Sequence, residues 1–372
     1  MKKVCVITAA RSEYGAMRWV IDAINKSKKL KLQLIATGSH LSLDQGNTVH
    51  FIEEDGYNID ERVDMLLSSS SSSSISKSMG ICAMGMSDSL RRLQPDIIVV
   101  TGDRYELLPI CSSALVMGIP IAHISGGDVT QGAIDDQVRN AVTMMASLHF
   151  PSTKDSAENI CRMRGSDKNI FIAGEPGLDN FIHAKLMTRQ ELAENLKLDV
   201  SKRWFLVTLH PETKQGYDYN LTMVKNMVEA IKNINDAQFV MTKANADLYG
   251  YEINNYLQTI AIANKDSIRF IDSLGHNRYM SFMKQVECII GNSSSGIFEA
   301  PFLGKPVINI GDRQKGRHLC HNVIQVASDK TQIEQALYGL HGDVKPDYYY
   351  GNGYGSEEIV DKIKKYLCFG DN

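Results

Sequence analysis

Short apolar runs rich in valine and isoleucine alternate along the chain with longer segments in which apolar residues recur at helical spacing. The runs predicted to be strands are 2–8, 30–37, 95–102, 119–125, 147–152, 169–174, 204–210, 237–242, 268–273, 286–292 and 305–311. Residues 16–27 and 220–234 are typical of the helices between them. Near-continuous apolar strands that alternate with helices indicate parallel sheets covered by helices on both faces.

The alternating pattern runs twice, with a break at residues 173–181, where glycine and proline cluster in AGEPGLDNF. We therefore predict an α/β protein of two Rossmann-like domains, residues 1–175 and 180–355, whose parallel sheets face an interdomain cleft. The last helical segment, 356–372, follows a glycine- and tyrosine-rich stretch and could belong to either domain. Packing back on the first domain is one expectation for this helix.

Residues 66–80, LLSSSSSSSISKSMG, form a segment of low complexity. A run of serines cannot pack a core, so the segment is predicted to be a solvated loop that ends in a helix cap. The alternative is a mobile lid over a ligand, because the loop leaves the domain that carries candidate site residues.

Composition excludes several classes of partner. The length of 372 residues favours two domains, and 43% hydrophobic with 22% charged residues is typical of a globular protein. The formal net charge of -3 gives no support for a nucleic-acid or anionic-membrane partner. Seven scattered cysteines without a C-x-x-C pair indicate reduced thiols and no zinc site. The sequence contains no signal-peptide pattern and no apolar stretch of membrane-spanning length, so we expect a cytoplasmic protein.

Polar residues follow the predicted strands where each strand ends. In open parallel sheets, ligands bind beyond the carboxyl ends of the strands. The residues at these ends are Arg11, Ser12, Glu13, Asp103, Arg104, Glu106, Ser125, Asp128, Asp135, Asp136 and Arg139 in the first half, and His210, Ser293, Ser294, Asp312, Arg313 and Arg317 in the second. Two such sets predict a site in the cleft.

The segment IIGNSSSGIFEAP ends a buried strand at glycine and continues with three serines. A helix that follows would place free backbone N–H groups and hydroxyls at its N-terminus, which attracts phosphate, while Glu299 could accept hydrogen bonds from a ribose. The alternative is that Ser294 or Ser295 only caps the helix. Arg313 and Arg317 favour a nucleotide diphosphate, because guanidinium groups bind it well.

Neither common nucleotide motif is present. The first strand is not followed by G-x-G-x-x-G, and G-x-x-x-x-G-K-[ST] is missing, which argues against NAD and against a P-loop ATPase. A nucleotide-sugar enzyme fits what remains. The motifs GDRYE, HISGGDVTQGAIDDQVRNAV, TLHPET and GNSSSGIFEAPFLGKPVINIGDRQKGR resemble the hydrolysing UDP-N-acetylglucosamine 2-epimerases of sialic acid and related nonulosonate biosynthesis, over nearly the whole chain. Non-hydrolysing relatives usually have HxEAGxR where this chain has HISGGDVTQG.

The resemblance implies the two-domain GT-B arrangement, with sugar chemistry in the first domain and UDP in the second. It implies conversion of UDP-N-acetylglucosamine and water to UDP and N-acetylmannosamine, by elimination to a glycal and addition of water. No metal and no cofactor are implied. A homodimer or homotetramer is expected on the same ground.

Matching positions imply catalytic roles for Asp103, Asp135 and His210, with Asp128 and Glu106 as further acid–base candidates. The residues implied in substrate binding are Arg11, Ser12, Arg104, Asn245, Ser293, Ser294, Glu299 and Arg313. The C2 proton of the sugar is weakly acidic, so cations and helix dipoles at the β-phosphate must assist the departure of UDP. Local alternatives are a helix cap at Asp103, an Asp135–Arg139 salt bridge and a loop histidine at His210.

Two positions depart from the family pattern. Ser125 occupies the position of a Glu or His, two residues after the His of HxxGG, and Asn140 that of a common His. A serine cannot act as a carboxylate or imidazole base, and Asp128 is the nearby residue that could compensate. Alternatively, Ser125 with Met144 and Met145 reflects a different sugar, that of UDP-2,4-diacetamido-2,4,6-trideoxyglucose (UDP-N,N'-diacetylbacillosamine), on the route to legionaminic acid.

Two other functions remain open from the sequence. A retaining glycosyltransferase of the same fold would transfer the sugar intact and leave its C2 proton unexchanged. A nucleotide-sugar-binding protein without turnover would release no UDP.

Overall fold

The computed structural model describes residues 1–43, 46–69, 71–129, 134–244, 249–342 and 344–369. Within them, strands form two six-stranded sheets, in which every pairing of neighbouring strands is parallel. The first sheet contains β1 (Lys2–Thr8), β2 (Leu30–Thr37), β3 (Glu61–Val63), β4 (Ile97–Thr101), β5 (Ile121–Ile124) and β6 (Leu148–Phe150). The second contains β7 (Arg203–Thr208), β8 (Ala237–Thr242), β9 (Ile268–Ile271), β10 (Cys288–Gly291), β11 (Val307–Ile310) and β12 (Val323–Val326).

The two sheets have the same doubly wound topology. Their strand orders are β3-β2-β1-β4-β5-β6 and β12-β11-β10-β7-β8-β9. In each sheet, some strands are added on one side of the first strand and the others on its opposite side, and the order switches beside that first strand. Such a switch point opens a crevice at the carboxyl ends of the strands. The predicted pair of Rossmann-like parallel sheets is therefore confirmed.

Helices connect the strands. They are α1 (Arg11–Asn25), α2 (His50–Glu54), α3 (Ser72–Leu93), α4 (Leu107–Val116), α5 (Ile134–Met145), α6 (Lys154–Arg164), α7 (Asn180–His183), α8 (Arg189–Leu196), α9 (Tyr217–Ile231), α10 (Gly250–Ala263), α11 (Gly275–Gln285), α12 (Ser295–Phe298), α13 (Ala300–Leu303), α14 (Lys330–Tyr338) and α15 (Gly355–Phe369). Turns of 3-10 helix lie at Gly38–Leu41 and Pro176–Asp179. Within the described ranges, no helix is both long and apolar enough to cross a membrane.

The chain divides into two compact units, the first from Met1–Ile182 with Tyr350–Asn372 and the second from His183–Tyr349. The helix α15 belongs to the first unit, where Ile359 and Ile363 are fully buried in the core. Its first turn is held by the carboxylate of Asp179, which accepts hydrogen bonds from the two backbone amides that open the helix, at 3.1 and 2.7 Å.

Three predictions about local structure are wrong or incomplete. The run 169–174 is not a strand but a single bridge between His149 and Ile170. The Ala173 amide still donates to the Pro151 carbonyl at 3.1 Å, but Pro151 has no N–H to donate in return, so the strand pairing does not extend. The short strand β3 and the edge strand β12 went unpredicted, since both keep exposed or half-exposed side chains that break the apolar pattern.

The serine run ends in a helix cap, as predicted, but the helix begins within the run, so less of it is a loop than expected. Ser71 caps α3, its hydroxyl accepting a hydrogen bond from the amide of Ser74, and the helix begins at Ser72. Serine is a poor residue for the helix interior but one of the best for an N-cap, so one serine of the run starts the helix and the following ones form its first exposed turn.

Candidate functional site

In the first unit, α1 begins directly after β1, so Arg11 and Ser12 lie in the first turn of a helix rather than in a loop. Both are exposed, and the guanidinium of Arg11 lies 4.3 Å from the centre of the Phe51 ring. Glu13, in the same turn, is buried and accepts a hydrogen bond from the backbone amide of Ala9 at 2.6 Å. This bond fixes the end of β1 against the helix.

Arg104 is shared by two buried carboxylates. Its Nη2 donates to Glu106 Oε1 at 2.6 Å, and its Nε lies 3.9 Å from Glu13 Oε1. Burial raises the pKa of Glu13 to about 7, against the opposing effects of the Ala9 hydrogen bond and the Arg104 charge. Because 40% of the Arg104 side chain remains exposed, the guanidinium is held by these two acids and still faces solvent.

Asp103 forms an ion pair with Arg139, whose side chain is only 7% exposed. Another guanidinium nitrogen, Nη1, donates to the backbone carbonyl of Asp128 at 2.8 Å. Asp103 does not cap the helix that follows, since the N-cap of α4 is Glu106. The ion pair that Arg139 forms is the longer-range one with Asp103, not the local one with Asp135 that was the alternative.

Asp135 is brought close to Asp103. Burial and the negative charge of Asp103 raise the pKa of Asp135, while Arg139 and Arg104 oppose the shift. Asp135 therefore holds a proton more readily than an isolated aspartate does.

His123, at the end of β5, positions the turn that carries Asp103. Its Nε2 lies 2.9 Å from the carbonyl oxygen of Gly102, which can only accept, so Nε2 bears the proton. Its Nδ1 lies 3.2 Å from the Thr143 hydroxyl. Burial lowers the pKa of His123 to about 4, so the ring is neutral at pH 7 and acts as a structural link.

Ser125 and Glu175 are linked directly. The Ser125 hydroxyl donates to Glu175 Oε2 at 3.3 Å, and the Ser152 hydroxyl donates to the same oxygen at 3.0 Å. Burial, followed by the charge of Asp128, raises the pKa of Glu175 to about 7. The carboxylate of Asp128 itself accepts a hydrogen bond from Ser156. Glu175 lies in the glycine- and proline-rich break and was not predicted as a site residue.

In the second unit, Asn292 holds the backbone of His210. Asn292 is fully buried, its Oδ1 accepts from the His210 amide at 2.7 Å, and its Nδ2 donates to the His210 carbonyl at 2.9 Å. The Asn292 carbonyl in turn accepts from Arg313 Nη1 at 3.1 Å and Gln314 Nε2 at 2.8 Å. One asparagine therefore ties together the ends of β7, β10 and β11.

His210 is neutral in this environment. Burial, with a smaller contribution from the nearby positive charge of Arg313, lowers its pKa to about 4. A neutral imidazole beside a guanidinium offers a hydrogen-bond donor to an anion without adding a second buried charge.

The loop after β10 depends on Gly291. Its φ of 135° lies in the region that favours glycine, and a Cβ there would lie 2.0 Å from the carbonyl oxygen of Thr208. The close approach lets the serine loop cross the end of β7. Within this loop, Ser295 shares hydrogen bonds with Tyr279 at 2.6 Å and with Ser293 at 3.0 Å.

The helices after the loop are short. The helix α12 and its successor α13 span four residues each, and the N-cap residue Ser294 makes no side-chain capping bond. The capping alternative for Ser294 is therefore wrong, and the helix dipole at this point is weaker than predicted, because few peptide dipoles add up. Glu299, at the junction, lies near Tyr279, since its charge contributes to the raised pKa of that phenol after burial.

The remaining predicted residues have local roles in the structure. The guanidinium of Arg317 lies 4.7 Å from the centre of the Phe298 ring and donates to Gln314 Oε1 at 2.7 Å. The Asp312 amide donates to the buried carboxylate of Glu212 at 2.8 Å. Asn245 lies outside the described residues. Among the residues that are described, no three His, Cys, Asp or Glu side chains are grouped as a metal site requires.

The two units differ in the chemistry of their polar groups. The first unit collects carboxyl groups with raised pKa values, which suits proton transfer, and the second collects hydroxyls, a neutral histidine and arginines, which suits an anionic leaving group. Partners such as Asn292, Gln314 and Arg139 support these groups from positions distant in the sequence.

Comparison with known proteins gives consistent results. Residues 22–364 match the model of the family described as UDP-N-acetylglucosamine 2-epimerase. The chain is 36% identical over 339 residues to the Campylobacter jejuni GDP/UDP-N,N'-diacetylbacillosamine 2-epimerase (hydrolyzing), covering 91% of this chain and 87% of that protein. It is 30% identical over 368 residues to the Legionella pneumophila UDP-N,N'-diacetylbacillosamine 2-epimerase (hydrolyzing), covering 99% and 96%.

A solved structure shares the fold. The UDP-GlcNAc 2-epimerase from Neisseria meningitidis, crystallised with UDP-GlcNAc, matches with a TM-score of 0.80 at 18% identity, covering 98% of this chain and 100% of that one. At this level of identity the match supports the fold only.

Proposed function

The chain belongs to the UDP-N-acetylglucosamine 2-epimerase family, and we propose that it catalyses the hydrolysing reaction, in which a UDP-linked 2-acetamido sugar and water give UDP and the free 2-epimer. The observation that carries the proposal is the 36% identity, over 91% of the chain, to a relative named as a hydrolysing 2-epimerase. The paired acids of the first unit and the anion-binding groups of the second support it.

We assign the departure of UDP to the second unit. When the C1–O bond breaks, negative charge develops on the β-phosphate, and preorganised donors stabilise it by about 3–4 kcal/mol each. Arg313 supplies positive charge, while His210 and Ser293 supply neutral hydrogen bonds. Because the helix that follows Ser293 is short, these side chains carry more of the stabilisation than a helix dipole does.

We assign the removal of the C2 proton to the acid pair of the first unit. In the elimination, the C–H electron pair becomes the C1–C2 double bond of a glycal while the C1–O pair leaves with UDP. Asp103, held by the buried Arg139, and its neighbour Asp135 are the candidates for the base. Arg104 is positioned by Glu13 and Glu106 to contact the substrate.

Two sugars are candidates for the substrate. The names of the two relatives at 36% and 30% identity favour UDP-N,N'-diacetylbacillosamine as the substrate. The motifs had instead favoured UDP-N-acetylglucosamine, with UDP-N,N'-diacetylbacillosamine as the alternative. The Campylobacter relative is also named for GDP-linked sugar, so the base of the nucleotide belongs in the comparison.

Proton NMR of the purified protein in deuterated water tests the function and the sugar together. Incubation with UDP-N,N'-diacetylbacillosamine, its GDP-linked equivalent and UDP-N-acetylglucosamine, in parallel, is expected to give a free 2-epimer deuterated at C2, together with nucleoside diphosphate, from one of them. Retention of the C2 proton would indicate a glycosyl transfer instead, and a complete lack of diphosphate release would indicate a binding protein. Light scattering of the same sample tests the proposed homodimer or homotetramer.

A further inference from the structure

The proposed mechanism needs a second proton-transfer group, for which Glu175 is a candidate. Inversion at C2 requires that one group removes the proton from one face of the sugar and another returns it to the opposite face. Asp103 and Asp135 form one such group, held by Arg139. The link between Ser125 and Glu175 lies at the end of β5, the strand next to the one that leads to Asp103.

The geometry of this link is that of a relay. Ser125 follows β5 with a φ of 58°, a left-handed conformation that serine rarely adopts, and its side chain is partly exposed. Its hydroxyl lies 3.3 Å from Glu175 Oε2, and the buried Ser152 hydroxyl holds the same oxygen from another direction at 3.0 Å. The backbone of Glu175 is anchored by its amide, which donates to the Tyr350 carbonyl at 2.7 Å.

The surroundings of the carboxyl favour a bound proton. Burial is the largest effect, and the negative charges of Asp128 and Asp179 add to it, while the hydroxyls of Ser152 and Ser125 oppose it. The resulting pKa of Glu175, about 7, lets the carboxyl exchange a proton near neutral pH. Asp128 is less suited to this role, because its carboxylate and its carbonyl are already bound by Ser156 and Arg139.

We propose that Ser125 and Glu175 form a carboxyl–hydroxyl relay that returns a proton to C2 of the glycal, an inference that rests on the proposed function. Ser125 is the residue that contacts the sugar, and Glu175 acts through it. The pair thereby compensates for the serine at a position where the motif comparison leads one to expect a direct acid or base.

The Glu175 proton passes from Oε2 to Ser125 Oγ while the serine hydroxyl proton passes to C2, and the electron pair of the C1–C2 double bond forms the new C2–H bond. The acid pair first releases to solvent the proton that it took from C2. Water then adds to C1 and loses one proton to this pair on the other face. Glu175 is left as a carboxylate and is reprotonated by solvent, so deuterium from the solvent enters at C2.

The first test compares Glu175→Gln with the wild type, using the sugar nucleotide that the wild type converts. The amide keeps the size and accepts the serine hydrogen bonds but carries no transferable proton. We expect UDP release to continue while the unsaturated glycal accumulates, and the rate of free 2-epimer formation to fall by about 10²–10⁴-fold. Glu158→Gln removes an exposed carboxylate on α6 and serves as the matched control, with no expected change.

A second variant keeps the test valid if Glu175→Gln folds poorly. Ser125→Gly removes the hydroxyl at a left-handed position that glycine adopts without strain, so it is expected to cause the same accumulation of glycal with a normal melting temperature. The double variant Ser125→Glu with Glu175→Ser moves the carboxyl group to position 125, the position that contacts the sugar. It is expected to form free 2-epimer at least tenfold faster than Glu175→Ser alone.

The pH dependence separates proton transfer from a purely structural role. The relay delivers a proton only while Glu175 is protonated, so formation of the free sugar should fall tenfold per pH unit above about pH 7. Ser152→Ala removes a hydrogen bond that stabilises the carboxylate, which raises the pKa of Glu175 and moves this decline to higher pH. Glu175→Gln should lose the decline.

The outcomes distinguish this inference from the proposed function. A wild type that releases no nucleoside diphosphate would refute both. An active wild type, together with a Glu175→Gln variant whose rate and pH profile match it within twofold, would refute the relay alone.

Discussion

Replacing Asn292 with alanine tests whether one buried side chain supports the candidate diphosphate site of the second unit. In the wild type, its amide group satisfies both the N–H and the C=O of His210, at 2.7 and 2.9 Å, and is fully buried. Alanine leaves both backbone groups unsatisfied. At about 1–3 kcal/mol for each, the free energy of unfolding of this unit should fall by about 2–6 kcal/mol.

The two tryptophans of the chain allow the unit to be measured separately. Trp204 is buried in the second unit and Trp19 lies in the first, so a Trp19→Phe background leaves fluorescence from the second unit alone. With a urea dependence of about 2 kcal/mol/M, the loss corresponds to a midpoint lower by about 1–3 M. Asn195→Ala, which removes one bond from an exposed asparagine of α8, is the matched control, with an expected change under about 0.5 kcal/mol.

Activity gives a second measure of the same change. Because the His210 imidazole is positioned through its backbone, Asn292→Ala should slow the release of UDP by at least about tenfold at saturating substrate. A midpoint no lower than that of the Asn195→Ala control would contradict the reasoning, since it would mean that water or the neighbouring residues satisfy both groups without cost.

Three further changes have defined outcomes. Arg139→Lys replaces a guanidinium that binds both Asp103 and a backbone carbonyl by a single ammonium. It should lower kcat about 10–100-fold in steady-state assays of UDP release. A near-normal kcat would contradict the role of the Asp103–Arg139 pair. Gly291→Ala forces a Cβ against the Thr208 carbonyl and should lower the urea midpoint by about 1 M or more, whereas an unchanged midpoint would mean that the loop relaxes freely. Between about pH 6.5 and 4 the unfolded chain binds a proton at His210 and the folded chain does not. The free energy of unfolding should therefore decrease as the pH is lowered through this range, and His210→Asn should reduce that pH dependence in urea titrations.

The regular part of the fold follows from the sequence because burial there is two-sided. Strands such as β4 and β8 are buried at every residue, and this produces the continuous apolar runs from which they were predicted. The edge strand β12 is half exposed and has no such run, and the end of the serine run becomes helical through a single cap at Ser71. Edge strands and helix caps depend on one or two contacts, and a hydrophobic pattern read over many residues does not detect them.

The candidate site could be predicted only where strand ends carry reactive side chains. Asp103 and His210 were predicted because each comes two residues after the end of a strand. For Arg139 the sequence suggested, as one alternative, a local partner four residues away, whereas its ion pair spans 36 residues. Glu175 lies in a segment whose glycines and proline predict a break in the fold. Its hydrogen bond with Ser125 joins residues 50 positions apart, and such a contact produces no periodic pattern in the sequence.

The insertion of the second unit between two parts of the first has a consequence for how the protein folds during synthesis. The core that contains Ile359 and Ile363 also contains residues from the first strands, so it cannot be completed until the ribosome has released the last helix, after the whole of His183–Tyr349. If the inserted unit folds first, it brings its own ends together and shortens the loop that the first unit must close. A slow or unstable second unit would then delay the first, which would expose an incomplete parallel sheet to aggregation.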